Sequence, residues 1–335
     1  MTDELTQLKA VQERVGKLPG PRDLKVIDYM DKHAQRWIAR SPLLFAGLGG
    51  TEGVAIGLAG GDPGFADASN PQRLRVPLDA FDEGVTPDSG QPFGSLFLLP
   101  GMNETLRVNG RISAVTDGWL EVRVDECYLH CAKALMRSAF WQPGDTPPAP
   151  QDESGFLAAS RFMALATIDS EGRADLSPKG DPAGALLAEH RGAVWYPDRP
   201  GNRRIDSFRN ILSRPAVALL ALVPGSTQVV ELSGTATITT DQSVSEGFAV
   251  QGRVPHLVTR ISDWRATLRP SAALQRASLW PAGPPPADID AAAIFKAHVK
   301  LNKSRGLAAT LTRVATSVPG LMEKGLAHDY KNNLY

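Results

Sequence analysis

Arg203 and Arg204 stand side by side in the stretch YPDRPGNRRIDSFRN, residues 196 to 210. A guanidinium presents a planar fork of donors that suits phosphate, and two in succession concentrate charge. Gly201 and Asn202 can supply the sharp turn and the cap of a helix. After them Ile205, Phe208 and Leu212 recur at helical spacing. The pattern predicts a helix at about 202 to 213. Its first N–H groups have no internal partner, and its dipole favours an anion. Lys179, at the end of the strand-like RADLSPKGDP, is in range of the same anion. This is a cradle for phosphate, though neither a Walker loop nor a dinucleotide fingerprint. The same residues also read as a solvated helix start with surface arginines, and composition alone leaves both readings open.

A second cluster lies in VDECYLHCAKALMRS, which brings His130, Lys133 and Arg137 together near Cys127 and Cys131. On a strand the two cysteines would sit about 13 Å apart, at ~3.3 Å per residue. That is too far for one metal ion or a disulfide, so no metal is expected. His298 and His328 fall in a helical pattern; they read as surface histidines, with haem or substrate contact as the alternative. Met322, Leu326 and Tyr330, four apart, read as a packing stripe.

These residues need a scaffold, and the chain supplies it twice. LLPGMNETLRVNGRISAVTD aligns without a gap with LVPGSTQVVELSGTATITTD, 124 residues later. Upstream, Ser41, Gly53 and GDP at 61 to 63 recur 119 residues on. Downstream, ALMRSAFW at 134 to 141 recurs as ALQRASLW, 139 residues on. Three matched blocks in one order argue for duplication. The copies have diverged in complementary ways. Copy one has RVPLDAFDEGVTPDSGQPF where copy two holds the arginine pair. Copy two has Arg269, Pro270 and Ala272 where copy one holds His130, Cys131 and Lys133.

Many short strand-like runs with turn residues between them suggest barrels or sandwiches. Residues 4 to 40 read as helical, with Leu24, Ile27, Met30, Ala34, Trp37 and Ile38 near one face, and the pattern turns helical again from about 288. QPGDTPPAPQ and WPAGPPPADID are proline-rich breaks. The fold class expected is α+β, mainly β. The chain has 335 residues, 42 % hydrophobic and 21 % charged, with 36 basic and 36 acidic side chains. Such a balance argues against a general nucleic-acid binder. No apolar run approaches the ~18 residues of a membrane span, and the N-terminus lacks a signal-peptide core. A cytoplasmic location is the default expectation.

SRFMALATIDSEGRADLSPKGDP, followed by YPDRPGNRRIDSFRNILSRPAVALLALVPG, resembles the flavin-binding split-barrel family related to pyridoxamine 5′-phosphate oxidase. It is most similar to the bacterial branch with SPKGDP and RPGNxRxDSxxN stretches. VDECYLHCAKALMRSAFW resembles that branch's C-terminal strand and turn, and DYMDKHAQRWIARSP its N-terminal lead-in. The resemblance implies six-stranded Greek-key barrels that pair, with FMN sites built from both partners. It implies that Lys179, Arg203 and Arg204 hold the FMN phosphate. Ser177, Tyr196, Asp198 and Asn202 would line the ribityl chain and ring edge. His130, Lys133 and Arg137 would close over flavin and substrate from the other copy. A cation near the flavin would favour its reduced anionic ring.

Joined to the duplication, this implies a dimer fused into one chain, with one FMN per chain. The organisation expected is N-terminal helices over 1–40 and a first barrel over 41–141 with a degenerate cradle. A linker follows over 142–157, then a second barrel over 158–281 with the phosphate site, and a helical segment over 288–335. The expected activity is FMN-dependent oxidoreduction of a small organic molecule, with a nicotinamide nucleotide as candidate electron donor. Pyridoxamine phosphate oxidation itself is not expected, because copy two's final segment lacks its histidine. Haem or a deazaflavin in the same fold, and a non-catalytic flavin binder, are the alternatives. The assembly expected is a monomeric pseudo-dimer or a homodimer.

Overall fold

The computed structural model describes residues 3–18, 24–51, 53–144, 148–304, 325, 329, 330 and 332–335. Two antiparallel sheets dominate it. The first holds β1 (Leu43–Gly49), β2 (Val54–Gly60), β3 (Asp67–Asn70), β4 (Arg73–Pro77), β5 (Pro92–Leu98), β6 (Thr105–Thr116) and β7 (Trp119–His130). The second holds β8 (Phe162–Ile168), β9 (Ala174–Gly180), β10 (Ala188–His190), β11 (Ala193–Pro197), β12 (Ala216–Leu222), β13 (Gln228–Thr239) and β14 (Val258–Pro270). Their orders are β2-β1-β5-β6-β7-β4-β3 and β9-β8-β12-β13-β14-β11-β10. Adding seven to each label of the first sheet reproduces the second. The duplication read from the sequence is therefore a duplication of topology. Each copy has seven strands where six were expected. The additional strand is the short β3 or β10, which hairpins onto β4 or β11 at the sheet edge.

Strands β1, β5, β8 and β12 are apolar on both faces, and the packing explains why. Along β8, Met163 and Leu165 point into the second barrel's own core. Phe162, Ala164 and Ala166 point the other way, into a core shared by both barrels. On β1, Leu44 and Ala46 face the first barrel's core while Leu43 and Phe45 face the shared one. Side chains alternate along a strand, so a strand buried on both sides has no room for a polar face. Phe140, from the repeated ALMRSAFW block, lies 5.1 Å from the rings of both Phe162 and Trp280 at this seam.

Two short helices lock the barrels reciprocally. Helix α3 (Lys133–Arg137) follows β7 and packs on β9, and a helix over Ala272–Ala277 follows β14 and packs on β2. A Cβ on Gly180 would stand 2.0 Å from the carbonyl oxygen of Ala134. A Cβ on Gly60 would stand 2.2 Å from that of Ala273. Both glycines are required by backbone approach across the seam.

The N-terminal reading needs correction. Among the described residues of this region, helices form over α1 (Leu8–Val15) and α2 (Lys32–Ile38), the latter capped by Asp31, whose carboxylate accepts from the Ala34 N–H at 2.9 Å. Leu24, Ile27 and Met30 are buried as their spacing suggests, but on a non-helical stretch of turn, bridge and bend. Ile27 forms a bridge to Cys127 on β7, and pairing with a strand displaces helix there. Helix α4 (Glu153–Ala159) begins inside the segment read as linker, once the prolines end and Asp152 provides a cap. In the C-terminal part a helix forms over Ala291–Leu301; Met322, Leu326 and His328 lie outside the described residues. His298 is not a surface residue. It is fully buried, its Nε2 3.2 Å from Asp31 Oδ1.

Replacing Gly180 with alanine is expected to force the seam apart. Overpacking of this kind costs about 1–3 kcal/mol or more. A thermal melt should show a fall of several degrees, and a variant melting with the wild type would refute the close approach.

Candidate functional site

Strand β9 ends in SPKG, delivering Ser177 and Lys179 to the seam. Strand β11 ends at Pro197, and the chain turns through Asp198 to Ile205 before α5 (Asp206–Ser213) begins. The helix therefore starts four residues later than its spacing predicted. Asn202 explains the delay: its Oδ1 accepts from the Arg204 N–H at 2.9 Å, closing a local turn. Arg203 then takes a left-handed conformation, φ +60°, uncommon for a residue with a Cβ. Ile205, Phe208 and Ile211 anchor the helix in the second barrel's core. Ile205 offers α5 no side-chain cap.

The two arginines have different environments. Arg203 is exposed, with no ion pair to any described residue. Arg204 donates from Nε to Asp206 at 2.7 Å and stacks its guanidinium on the ring of Tyr128, from β7, at 4.9 Å. Its Nη1 is buried without a hydrogen-bond partner. Burial opposes the charge of Arg204, but Tyr128 and Asp206 outweigh it and hold the guanidinium above its ordinary value. Lys179 projects over the rings of Tyr196 and Phe208, at 5.2 and 5.8 Å. Burial pulls its ammonium below ordinary lysine, with Asp198 opposing.

Copy one closes the other side. His130 ends β7, and Asn202 Nδ2 lies 3.3 Å from its Nε2. Because the Asn202 oxygen is committed to Arg204, the amide nitrogen faces the ring and donates to Nε2. The neutral imidazole then carries its proton on Nδ1, which is buried and unpartnered. Burial depresses the His130 pKa well below 6.5, and Arg107, Lys25 and Arg204 depress it further. Lys133 and Arg137 follow on α3, both buried. Lys133 pairs with Asp329 at 3.0 Å. Nine of the ten candidate residues line one cavity of about 710 Å³. Tyr196 is the exception: strand alternation sends it with Val194 into the barrel core, where it forms the floor beneath Lys179. Arg14 of α1 also lines the cavity.

Arg107 escaped the sequence reading. It lies on β6 of copy one with 1 % exposure and reaches across to copy two. Its Nη1 donates to Asp175 Oδ1 and to the Tyr128 hydroxyl, both at 2.5 Å, and its Nη2 to the Leu176 carbonyl. Ser177 donates to the other Asp175 oxygen at 2.8 Å. Burial disfavours the Arg107 charge, but Asp175 and Tyr128 more than restore it. Arg107 aligns with Glu231 in the repeat, and that departure from the pattern was the available signal.

The pseudo-symmetric counterpart of this site is built differently, with Glu83, Gly84 and Glu231 lining its pocket where Arg203, Arg204 and Arg107 stand here. Strands β4 and β11 match with an offset that equates Asp82 with Asn202, and the 139-residue offset equates Arg269 with His130. Where Asn202 meets His130, Asp82 meets Arg269 in an ion pair of 2.8 Å. Asp82 also accepts from the Ser271 hydroxyl and the Ala273 N–H, each at 2.8 Å. Arg276 donates to the Ala80 carbonyl as Arg137 donates to the equivalent Pro200 carbonyl. That contact is common to both halves and ties a loop, whereas Lys133 has only Ala272 as counterpart.

Residues 150–274 match the family model described as pyridoxamine 5'-phosphate oxidase. Among solved structures, HupZ of Group A Streptococcus is 18 % identical, covering 34 % of this chain and 91 % of that one, with a TM-score of 0.27. A putative pyridoxamine 5'-phosphate oxidase of Lactobacillus delbrueckii is 20 % identical, covering 38 % and 98 %, with a TM-score of 0.26. A structure titled F420 reductase is 15 % identical, covering 35 % and 98 %, with a TM-score of 0.26. None of the curated proteins compared matches. The chain is a tandem duplication of one strand-rich unit, and its second barrel carries the match to the pyridoxamine 5'-phosphate oxidase family model. No described helix is long and apolar enough to cross a membrane.

Two outcomes follow from the seam. Arg107→Met leaves Asp175 buried and unpaired, and breaking such a pair costs about 3–5 kcal/mol. Denaturant unfolding should register that loss, and Asp175→Leu in the same chain should recover most of it; an undiminished midpoint for the single variant would disprove the role. His130 stays neutral in the folded chain, while its unfolded pKa is near 6.5. The unfolded chain thus binds the extra proton. Stability is flat above that pH and falls as pH drops below it, by up to about 1.4 kcal/mol per pH unit. His130→Gln should flatten that acid limb in urea unfolding between about pH 6.5 and 5; an unchanged slope would mean His130 is protonated in the fold.

Proposed function

We propose that the chain is an FMN-dependent oxidoreductase acting on a small organic molecule, with one FMN per chain. The observation that supports this most is the imbalance of the two seams. One carries the Asp82–Arg269 ion pair and has Glu83 and Glu231 where the other has Arg203 and Arg107. The other opens into a cavity of about 710 Å³, within the range of small-molecule sites. Its lining carries Arg203 and Lys179, neither with an ion pair among the described residues, a buried unpartnered Arg204 Nη1 and the start of α5, which has no side-chain cap. That donor set fits a phosphate dianion. Asp206 at the same helix start supplies opposing charge and orients Arg204 instead of capping the helix.

In this reading Lys179, Arg203 and Arg204 hold the phosphate, while Ser177, Asp198 and Asn202 face the rest of the cofactor. Bound FMN would supply a two-electron redox centre. His130 presents a neutral imidazole whose protonated nitrogen is Nδ1. Lys133 and Arg137 bring buried positive charge, which stabilises added negative charge strongly in a dry site. A nicotinamide nucleotide is the proposed electron donor.

The purified protein is expected to show a flavin spectrum, and denaturation should release one FMN per chain. Arg203→Ala should weaken FMN binding by about tenfold or more without changing the melting temperature, since one hydrogen bond to a charged group contributes about 1.5–3 kcal/mol. Fluorescence titration of the stripped protein measures it. Two flavins per chain, a Soret band, or wild-type affinity in the variant would each refute the proposal.

A further inference from the structure

Asp329, Asn333 and Tyr335, from the C-terminal segment, also line the cavity. The Tyr335 ring is 8 % exposed and sits against two guanidiniums, 5.7 Å from Arg137 and 5.5 Å from Arg199. Three cations donate to main-chain oxygens of this segment. Lys133 Nζ donates to the Asn333 carbonyl and Arg137 Nε to that of Leu334, both at 2.7 Å; Arg253 donates to that of Tyr335. Arg199 is neutralised by buried Asp181 at 2.9 Å. Arg137 has no carboxylate partner among the described residues. Nine lysine and arginine side chains line the cavity against four aspartates. A phosphate of about two charges offsets only part of that excess.

A planar ring packed on guanidinium faces, with cationic donors set on oxygens beside it, is the recognition pattern for a planar aromatic carboxylate. We infer that this part of the cavity is the substrate subsite, that it selects planar aromatic carboxylates, and that Tyr335 is its internal occupant. The inference rests on the reading of the cavity as a redox site and names its substrate class. Lys133 also has Asp329, but Arg137 meets only the neutral carbonyls of Leu334 and Pro200, which satisfy its geometry and not its charge, so an anionic ring in the place of Tyr335 adds the missing charge. Removing the Tyr335 ring vacates the slot without touching either barrel core.

Calorimetric titration with benzoate tests this in the full-length chain, with cyclohexanecarboxylate and benzyl alcohol as probes of planarity and charge. Tyr335→Ala should bind benzoate about tenfold or more tighter than the wild type. The other two probes should gain less. Arg253→Gln in the Tyr335→Ala chain should abolish the gain while leaving the melting temperature in place. Equal benzoate affinity in wild type and Tyr335→Ala, or equal gains for all three probes, would overturn the inference. FMN titration of the same samples keeps the two readings apart. Benzoate binding without FMN binding removes the flavin assignment alone, and FMN binding without benzoate selectivity removes the substrate class alone.

Discussion

The buried bond between Arg107 and Asp175 is the constraint on which the open seam depends. One side chain comes from each barrel, and neither has access to bulk water. An ion pair taken out of water gains little net stability over an apolar pair of the same shape, but it tolerates no loss of a partner. Its geometry also recruits neighbours. Tyr128 accepts from Arg107 and offers its ring to Arg204, while Ser177 donates to Asp175. Copy one's β6 and β7 are thereby registered against copy two's β9 and the Arg204 turn, and the cavity is framed by both.

Duplication freed the two seams to diverge. In a symmetric dimer every change at one interface site appears at the other. In a fused chain, Asn202 faces His130 on one side while Asp82 faces Arg269 on the other. The neutral pair leaves a space bordered by unsatisfied donors. The ionic pair, with Ser271 and the Ala273 N–H added, satisfies Asp82. The contacts of Arg137 and Arg276 with equivalent carbonyls survive on both sides and mark the ancestral packing. Against that background, Lys133 and Arg107 stand out as cations with no match in the other half.

The stretch that holds Asp329, Asn333 and Tyr335 adds a third wall. It presents carbonyl oxygens to cations that the barrels leave without carboxylates, and it places an aromatic ring among arginines. The environment of α3 is thus set by chain from both copies and by residues about 200 positions away in sequence. Asp329 meets Lys133 in the same arrangement.

Periodicity and repetition carried much of this protein in the sequence. The three matched blocks expressed a duplication that the strand order reproduces, and the doubly apolar runs LLFAGLG and FMALATI expressed walls buried on both faces. The arginine pair and the HCAKALMR stretch, each present once, pointed to the residues that meet at the cavity. Local signals are legible because alternation and turn chemistry act between near neighbours. What depended on long-range partners was not. Residues 24 to 31 have helical spacing, yet Ile27 pairs with β7 and stays extended. Asn202 turns the chain before α5, so the helix begins at Asp206. Tyr196 goes to the core by alternation, although its neighbours in the motif face the cavity. Arg107 gave no local sign, because its meaning lies in Asp175, 68 residues away and in the other barrel. Buried charge, orphaned donors and the ion pair of the other seam arise only when distant segments desolvate one another, and the tertiary structure alone decided them.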